Sequence, residues 1–188
     1  MVKYVIPLIA VIASVAVVAI AFVFLTGHTV SAQSSPEMAQ FTALSSATSD
    51  QCAYLGDKAA IYSNINTMPN DTYFQGSCCS PMDYNHYVQQ ITDLKNYSNV
   101  STVPQNPYNV SVGQIKQMLG YYDSIVLNQS QNATFNQAAS LTQDRSWCCC
   151  QCWAWYAHAG LAKYMIKNYN YNVSQVVTLI NLEDCCGG

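Results

Sequence analysis

The chain has 188 residues, of which only 9% are charged, with seven basic and ten acidic side chains. It contains no run of Lys or Arg, which argues against a nucleic-acid partner because such partners require a basic patch. The surface must therefore consist largely of Asn, Gln, Ser, Thr and Tyr. The chain beyond the N-terminal segment is long enough for one domain with its own core.

An almost uninterrupted apolar stretch covers residues 4–26 and follows Lys3. A helix that rises about 1.5 Å per residue crosses a ~30 Å hydrocarbon core with about 20 residues. The preceding Lys favours an N-terminus on the cytoplasmic side, with the chain leaving on the outer side. Residues 1–32 are therefore predicted to be a signal anchor or transmembrane helix in contact with membrane lipid. Residues 33–188 are predicted to be an extracytoplasmic domain.

Cleavage of this segment is the alternative. Val30-Ser31-Ala32 has the small-residue pattern of a signal-peptidase site, and cleavage after Ala32 would release a secreted protein. The apolar stretch exceeds the usual ~7–15 residues of a signal peptide, which favours the anchor. Both interpretations place the remaining chain outside the cytoplasm.

Asn-x-Ser/Thr sequons are frequent in the exported part of the chain. They could carry N-linked glycans only on an exported protein, although a composition rich in Asn, Ser and Thr also produces sequons by chance. The seven sequons begin at Asn70, Asn96, Asn99, Asn109, Asn128, Asn132 and Asn172.

Apolar residues at three- and four-residue spacing predict helices along most of the exported chain. The predicted helices run from Pro36 to about Ile65, from an N-cap at Ser80 with Pro81 in the first turn, from an N-cap at Ser111, from near Asn132, from the cysteine-rich stretch to about Lys167, and from Val173 to about Leu182. No segment has the alternation typical of a strand. The predicted fold is an all-α bundle of four to six helices behind the N-terminal transmembrane helix.

Nine cysteines are the most informative residues, and four of them lie within residues 148–152. On a helical wheel Cys148, Cys149 and Cys152 share one arc, whereas Cys150 points to the opposite side. Because this predicted helix is apolar on nearly all sides, we expect it to lie at the centre of the bundle.

A second pair of cysteines, Cys185 and Cys186, lies at the C-terminus. The last two helices should form an antiparallel hairpin around residues 168–172. When residues are counted equally along both helices from that turn, the pair lies within about one helical turn, ~5 Å, of Cys152. Cys78 and Cys79, near the start of another predicted helix, could join the same cluster.

A soft-metal site is the first interpretation of this cluster. Thiolates select Cu or Zn, and Hg behaves similarly, and Cys149-x-x-Cys152 has the spacing of a ligand pair. His158 is either a further ligand or a hydrogen-bonded core histidine. The predicted ligands are Cys148, Cys149, Cys150, Cys152, Cys185, Cys186 and His158.

A disulfide framework is the second interpretation, because an exported chain folds under oxidising conditions. Cys52, Cys78 and Cys79 are the candidates, tied to one another or to the two clusters, and an odd number of cysteines leaves at least one thiol over. The protein would then be a non-enzymatic, N-glycosylated surface protein or an accessory subunit that binds a protein partner in a membrane complex.

Thiol redox or nucleophilic chemistry is the third interpretation, and the sequence supports it least. Thioredoxin-like Cys-x-x-Cys motifs follow a strand, and no strand is predicted. On one helix His158 would lie about 12 Å along the axis from Cys150, too far for a direct hydrogen bond. The sequence does not predict an enzyme.

Two resemblances favour the soft metal. Cys185-Cys186-Gly187-Gly188 resembles the vicinal-cysteine tail with which mercuric reductases pass Hg(II) to their active site. It covers four residues, and the glycine motif for the cofactors of that family is absent, so no catalytic residue is carried over. The predicted bundle is also similar in outline to exported copper-storage proteins, whose helices carry many cysteines at i, i+4 spacing. Here only Cys148 and Cys152 have that spacing.

Overall fold

The computed structural model describes residues 35–47 and 56–187. Most of these residues are helical, which confirms the predicted helical class. Seven α-helices lie in this part of the chain. They are α1 (Pro36–Ser45), α2 (Lys58–Thr67), α3 (Tyr84–Asp93), α4 (Val112–Ser124), α5 (Gln129–Leu141), α6 (Trp153–Tyr169) and α7 (Val173–Leu182), with a 3-10 turn at Leu94–Tyr97 after α3.

A short antiparallel ladder, which the sequence did not predict, joins β1 (Tyr73–Gln75) to β2 (Asn109–Ser111). Phe74 pairs with Val110, and both side chains are buried. Each strand has three residues and one buried position. Such a segment is too short to show the alternation by which a strand is recognised.

Polar caps fix several helix starts. Ser111, Asn128 and Asn172 each form a capping box with the Gln three residues later, at the starts of α4, α5 and α7. The predicted caps and starts at Ser111 and Val173 are confirmed. The predicted start of α5 near Asn132 is wrong, because the Asn128 box begins this helix at Gln129.

The predicted start of α3 at Ser80-Pro81 is also wrong. The helix begins at Tyr84, where the Asp83 carboxylate accepts a hydrogen bond from the His86 backbone N–H at 2.8 Å. Ser80 instead pairs with the C-terminal tail, because both its backbone N–H and its hydroxyl group donate to Cys186 O. The C-terminal tail therefore displaces the start of this helix along the chain.

The predicted first helix from Pro36 to Ile65 is two helices. Gly56 has a φ of +112°, which no helical residue adopts, and Asp57 then caps α2 by accepting a hydrogen bond from Ala60 N. Residues 48–55 between the two helices, including Cys52, lie outside the described residues.

Helix α6 lies at the centre of the fold, as its apolar surface predicted. Buried residues occupy all of its faces, among them Trp153, Tyr156 and Leu161. At Gly160 the backbone crosses α4 so closely that an added Cβ would lie 1.9 Å from Met118 O. This contact sets the separation of the two helices.

Helices α6 and α7 form the predicted hairpin. Asn170 ends α6 in the left-handed conformation, with a φ of 53° and its N–H bonded to Met165 O. Asn172 then caps α7. Among the described helices none is both long and apolar enough to cross a membrane, and the predicted membrane segment at residues 4–26 lies outside the described part of the chain.

Candidate metal centre

The C-terminal tail pairs with the segment before α3. Cys78 N donates to Cys185 O at 2.8 Å, and Ser80 N donates to Cys186 O. Gly187 follows with a φ of +101°, and a Cβ there would lie 2.8 Å from Pro81 O. Only glycine fits this position without strain. These contacts hold Cys79 and Cys186 close together.

Gln90 of α3 fixes the start of the same tail. Its buried amide donates from Nε2 to Leu182 O at 3.1 Å and to Asp184 O at 2.7 Å. The Asp184 carboxylate in turn accepts a hydrogen bond from Cys186 N at 2.9 Å. The path of the chain between α7 and Cys186 is therefore set by hydrogen bonds on both sides.

The cysteine-rich stretch is not helical, contrary to its prediction. Helix α6 begins at Trp153, and Cys152 occupies the N-cap position with extended backbone. Before it, Cys152 N donates to Cys150 O in a tight turn. The predicted direction of Cys150, away from the other thiols, is wrong for the same reason, because a turn does not follow the helical wheel.

The thiols of this loop meet those of the tail. Cys149 Sγ lies 3.1 Å from Cys79 Sγ and 3.2 Å from Cys186 Sγ. Cys148 Sγ lies 4.0 Å from Cys149 Sγ and 3.9 Å from Cys152 Sγ. The hairpin brings Cys186 to the cysteine-rich loop, as equal counting from its turn predicted, and the pairing of the tail with residues 78–80 adds Cys79.

Two sets of side chains have the geometry to hold a metal ion. One set is Cys148, Cys150 and Cys152; the other is Asp144, Cys148, Cys149 and Cys186. Within each set all ligand atoms lie within 4.8 Å of one another. A tetrahedral ion with metal–sulfur bonds of ~2.3 Å separates its sulfurs by about 3.8 Å. The cysteine clusters could therefore hold a metal ion, whose identity the geometry leaves open.

A third set, of Cys78, Cys79 and Cys150, lies beside these two. Cys78 is not among the free cysteines of the structure, so we do not count this set as a ligand group. Cys52, the other disulfide candidate, lies outside the described residues.

Asp144 is a candidate ligand that the sequence analysis missed. It lies in the loop after α5, where Arg145 adopts a left-handed φ of 53° and turns the chain back. The backbone of Cys149 forms a hydrogen bond with the Asp144 carboxylate, which holds this side chain beside the thiols. An acidic residue four positions before Cys148 was the available signal.

The pKa values of Cys79, Cys150 and Cys152 are raised by their environment. Burial, followed by the adjacent Cys149 thiol, raises the pKa of Cys79 to about 12. Burial and the Cys152 thiol raise the pKa of Cys150 to about 12. The hydrogen bond with Cys148, together with burial, also raises the pKa of Cys152. A cation at the cluster would reverse this preference because it stabilises thiolates.

Two predicted ligands lie outside both sets. Cys185 is buried, and burial raises the pKa of its thiol well above the ordinary value. His158 is buried in α6, and its Nδ1 donates to Trp147 O at 2.8 Å. Burial lowers the pKa of His158, so the imidazole is neutral at pH 7. This geometry suits a hydrogen-bonded core histidine that anchors the cysteine-rich loop.

The sequon asparagines occupy different environments. Asn128 and Asn172 accept capping hydrogen bonds, and the Asn132 side-chain N–H donates to Leu127 O at 3.0 Å. Asn70 accepts from Lys116 Nζ, and Asn109 accepts from Gln75 Nε2. Asn96 and Asn99 are exposed around the 3-10 turn.

A buried carboxyl group lies at the end of α7. Glu183 is 2% exposed, and its Oε1 is one of two buried side-chain polar atoms in the described residues that have no hydrogen-bond partner. Burial raises the pKa of Glu183 well above its ordinary value of 4.5. The folded chain therefore holds a proton that the unfolded chain releases above about pH 4.5.

Replacing Glu183 with Gln is expected to remove a loss of stability that accompanies rising pH. The contribution of Glu183 to the wild-type folding equilibrium should fall roughly tenfold per pH unit as the pH rises from about 5 towards the folded-state pKa, because only the unfolded carboxyl group ionises there. Urea unfolding from pH 5 to 8 measures this, and the contribution of His158 is common to both proteins. Asp71→Asn, at an exposed position, is the control. Parallel profiles for wild type and Glu183→Gln would contradict the prediction.

No protein-family model matches the chain, and neither a curated protein nor a solved structure is significantly similar to it. The thiol cluster itself therefore provides the observations that bear on function.

Proposed function

We propose that the protein binds a soft metal ion through clustered thiolates, on the extracytoplasmic side of a membrane to which its N-terminal segment anchors it. The observation that carries the metal proposal is the convergence of five free cysteines on two overlapping ligand sets. These cysteines are Cys148, Cys149, Cys150, Cys152 and Cys186.

The donor atoms support a soft ion. Sulfur dominates both sets, and the only other donor is one carboxylate oxygen of Asp144. Thiolate sulfur selects Cu(I) or Zn over hard cations such as Mg²⁺ or Ca²⁺, and Hg(II) shares this preference. Cys148 and Cys152 are buried, so the protein shields their side of the cluster from water.

The raised thiol pKa values argue against a nucleophilic role. A reactive cysteine needs a lowered pKa, usually from a neighbouring cation. Here Cys79 and Cys150 have pKa values of about 12, because they are desolvated and lie beside other thiols. Burial lowers the pKa of His158, so its imidazole is neutral and supplies no positive charge that would stabilise a thiolate. Metal binding supplies the missing positive charge.

The cellular location that we propose is supported by the sequence alone. The apolar stretch at residues 4–26 supports membrane anchoring or export, and the sequons support an exported, glycosylated chain. A location outside the cytoplasm would make the protein suited to sequestering or delivering a metal at the cell surface.

The test is metal binding by the reduced, full-length chain in detergent under anaerobic conditions. Native mass spectrometry after addition of Cu(I), and separately of Zn(II), should show a bound ion in the wild type. Cys152→Ser/Cys186→Ser, which removes one thiol from each set, should lose metal, whereas Cys185→Ala, which removes a buried thiol outside both sets, should retain it. An absence of metal from the wild type with either ion, or equal binding by the double variant, would refute the proposal.

A second candidate function is that of a disulfide-stapled surface protein or complex subunit. Cys149 Sγ is 3.1 Å from Cys79 Sγ and 3.2 Å from Cys186 Sγ, and either pair needs an approach of only about 1 Å to reach the disulfide length of ~2.05 Å. Cys149 can bridge only one partner at a time, so only one of these two disulfides can form in a given molecule.

Intact mass of the protein from its native membrane, after enzymatic removal of glycans, separates the two candidates. A mass about 2 Da lower per bridge, without a metal adduct, would support disulfides. A metal adduct with these thiols reduced would support the metal centre.

A further inference from the structure

The two ligand sets share one side chain. Cys148 belongs both to the set with Cys150 and Cys152 and to the set with Asp144, Cys149 and Cys186. Its Sγ lies 3.9 Å from Cys152 Sγ on one side and 4.0 Å from Cys149 Sγ on the other. Cys148 therefore occupies the junction between two groups of donors.

This junction is buried and made of sulfur. Cys148 is 4% exposed and Cys152 is fully buried, so the protein covers one side of the shared thiol. A thiolate sulfur has more than one lone pair and can bind two soft cations at once. A single ion would use only one of the two sets and would leave at least two cysteines of the other set as protonated thiols.

We propose, as an extension of the proposed function on which it rests, that the centre holds two soft metal ions bridged by Cys148 Sγ. One ion is bound by Cys148, Cys150 and Cys152, a set of three sulfurs that suits Cu(I). The other is bound by Cys148, Cys149 and Cys186, with the Asp144 carboxylate as a fourth donor.

The chemistry of loading is ligand exchange. Each ion forms metal–sulfur bonds as S–H bonds break, and the protons pass to solvent, so filling both sets releases up to one proton from each of the five cysteines. Neither the sulfur nor the metal changes oxidation state. With metal–sulfur bonds of ~2.3 Å, a shared sulfur places the ions at most about 4.6 Å apart.

The experiment is an anaerobic titration of the reduced, full-length protein with Cu(I), followed by native mass spectrometry. The wild type should bind two ions. Cys152→Ser and Cys186→Ser, each of which weakens one set, should bind one ion each, and the double variant should bind none. Cys185→Ala is the control and should bind two. Cys150→Ser and Cys149→Ser address the same two sets if either first variant does not fold.

X-ray absorption spectroscopy tests the bridge directly. The wild type loaded with two ions should show metal–metal scattering, and Cys148→Ser should lose it together with at least one ion. A wild type that binds one ion, or more than two, would overturn the bridged pair while leaving soft-metal binding intact. Unchanged scattering in Cys148→Ser would also overturn it. A wild type that binds no ion would refute the proposed function as well.

Discussion

The affinity of the reduced chain for a soft metal is expected to fall by up to about a thousandfold for each pH unit of acidification. Burial raises the pKa of Cys150 to about 12, and the hydrogen bond with Cys148 together with burial raises the pKa of Cys152, so these thiols hold their protons at neutral pH. An ion that binds three thiolates must displace three protons, and each proton contributes a factor of about ten per pH unit. Metal binding therefore strengthens as the pH rises and weakens as it falls.

Competition with a chelator of known proton affinity, at pH 6, 7 and 8, measures this slope. Proton release in weakly buffered solution gives an independent count, expected to approach three per ion at low loading. Cys150→Ser reduces one set to two thiols and should lower the slope at that set to about two. Release of fewer than one proton per ion would show that the thiols are already ionised, and would contradict the pKa argument.

The meeting of Cys186 with the cysteine-rich loop could be predicted from the sequence because it depends on one turn. Asn170 and Asn172 end and restart the helices, and the two helices then run antiparallel for about three turns. Counting residues from the turn along both helices was enough to predict that Cys186 lies beside the cysteine-rich loop. The N-cap at Ser111 could be predicted as well, because a capping box involves only residues that are three positions apart.

The local path of the cysteine-rich loop could not be predicted in this way. Its apolar composition continues into α6, and periodicity alone does not distinguish a buried turn from the first turn of a helix. The turn is stabilised by partners distant in sequence, such as the hydrogen bond from His158 to Trp147 O. The direction of Cys150 depends on these contacts, and so does the presence of Asp144 in the site.

The C-terminal tail also explains why the predicted start of α3 at Ser80-Pro81 is wrong. Ser80-Pro81 has the residue types of a helix start, but the Ser80 N–H is bonded to Cys186 O. Gly187 then needs the space beside Ser80 and Pro81 that a side chain would fill. A local signal was overridden by pairing with a segment more than 100 residues away, which no local pattern contains.

Replacing Gly160 with Ala is expected to destabilise the fold by about 3 kcal/mol, near the upper end of the range for overpacked cores. An added Cβ would lie 1.9 Å from Met118 O and 2.9 Å from Tyr122 N. These are backbone atoms of α4, so the strain cannot be relieved by rotating a side chain, and the two helices would have to separate. Since α6 begins directly after Cys152, separation would also shift the cysteine-rich loop.

Gly120→Ala is the matched control, because an added Cβ at Gly120 in α4 meets no atom within 4 Å. In a helix interior Ala is favoured over Gly by up to about 1 kcal/mol, so this variant should be as stable as the wild type or slightly more stable. Urea unfolding of both variants, monitored by circular dichroism, gives the free energies. Equal stability of Gly160→Ala and Gly120→Ala would show that α4 and α6 do not cross as closely as the structure places them. The position of α6, and of the cysteine-rich loop that precedes it, would then be set by other contacts.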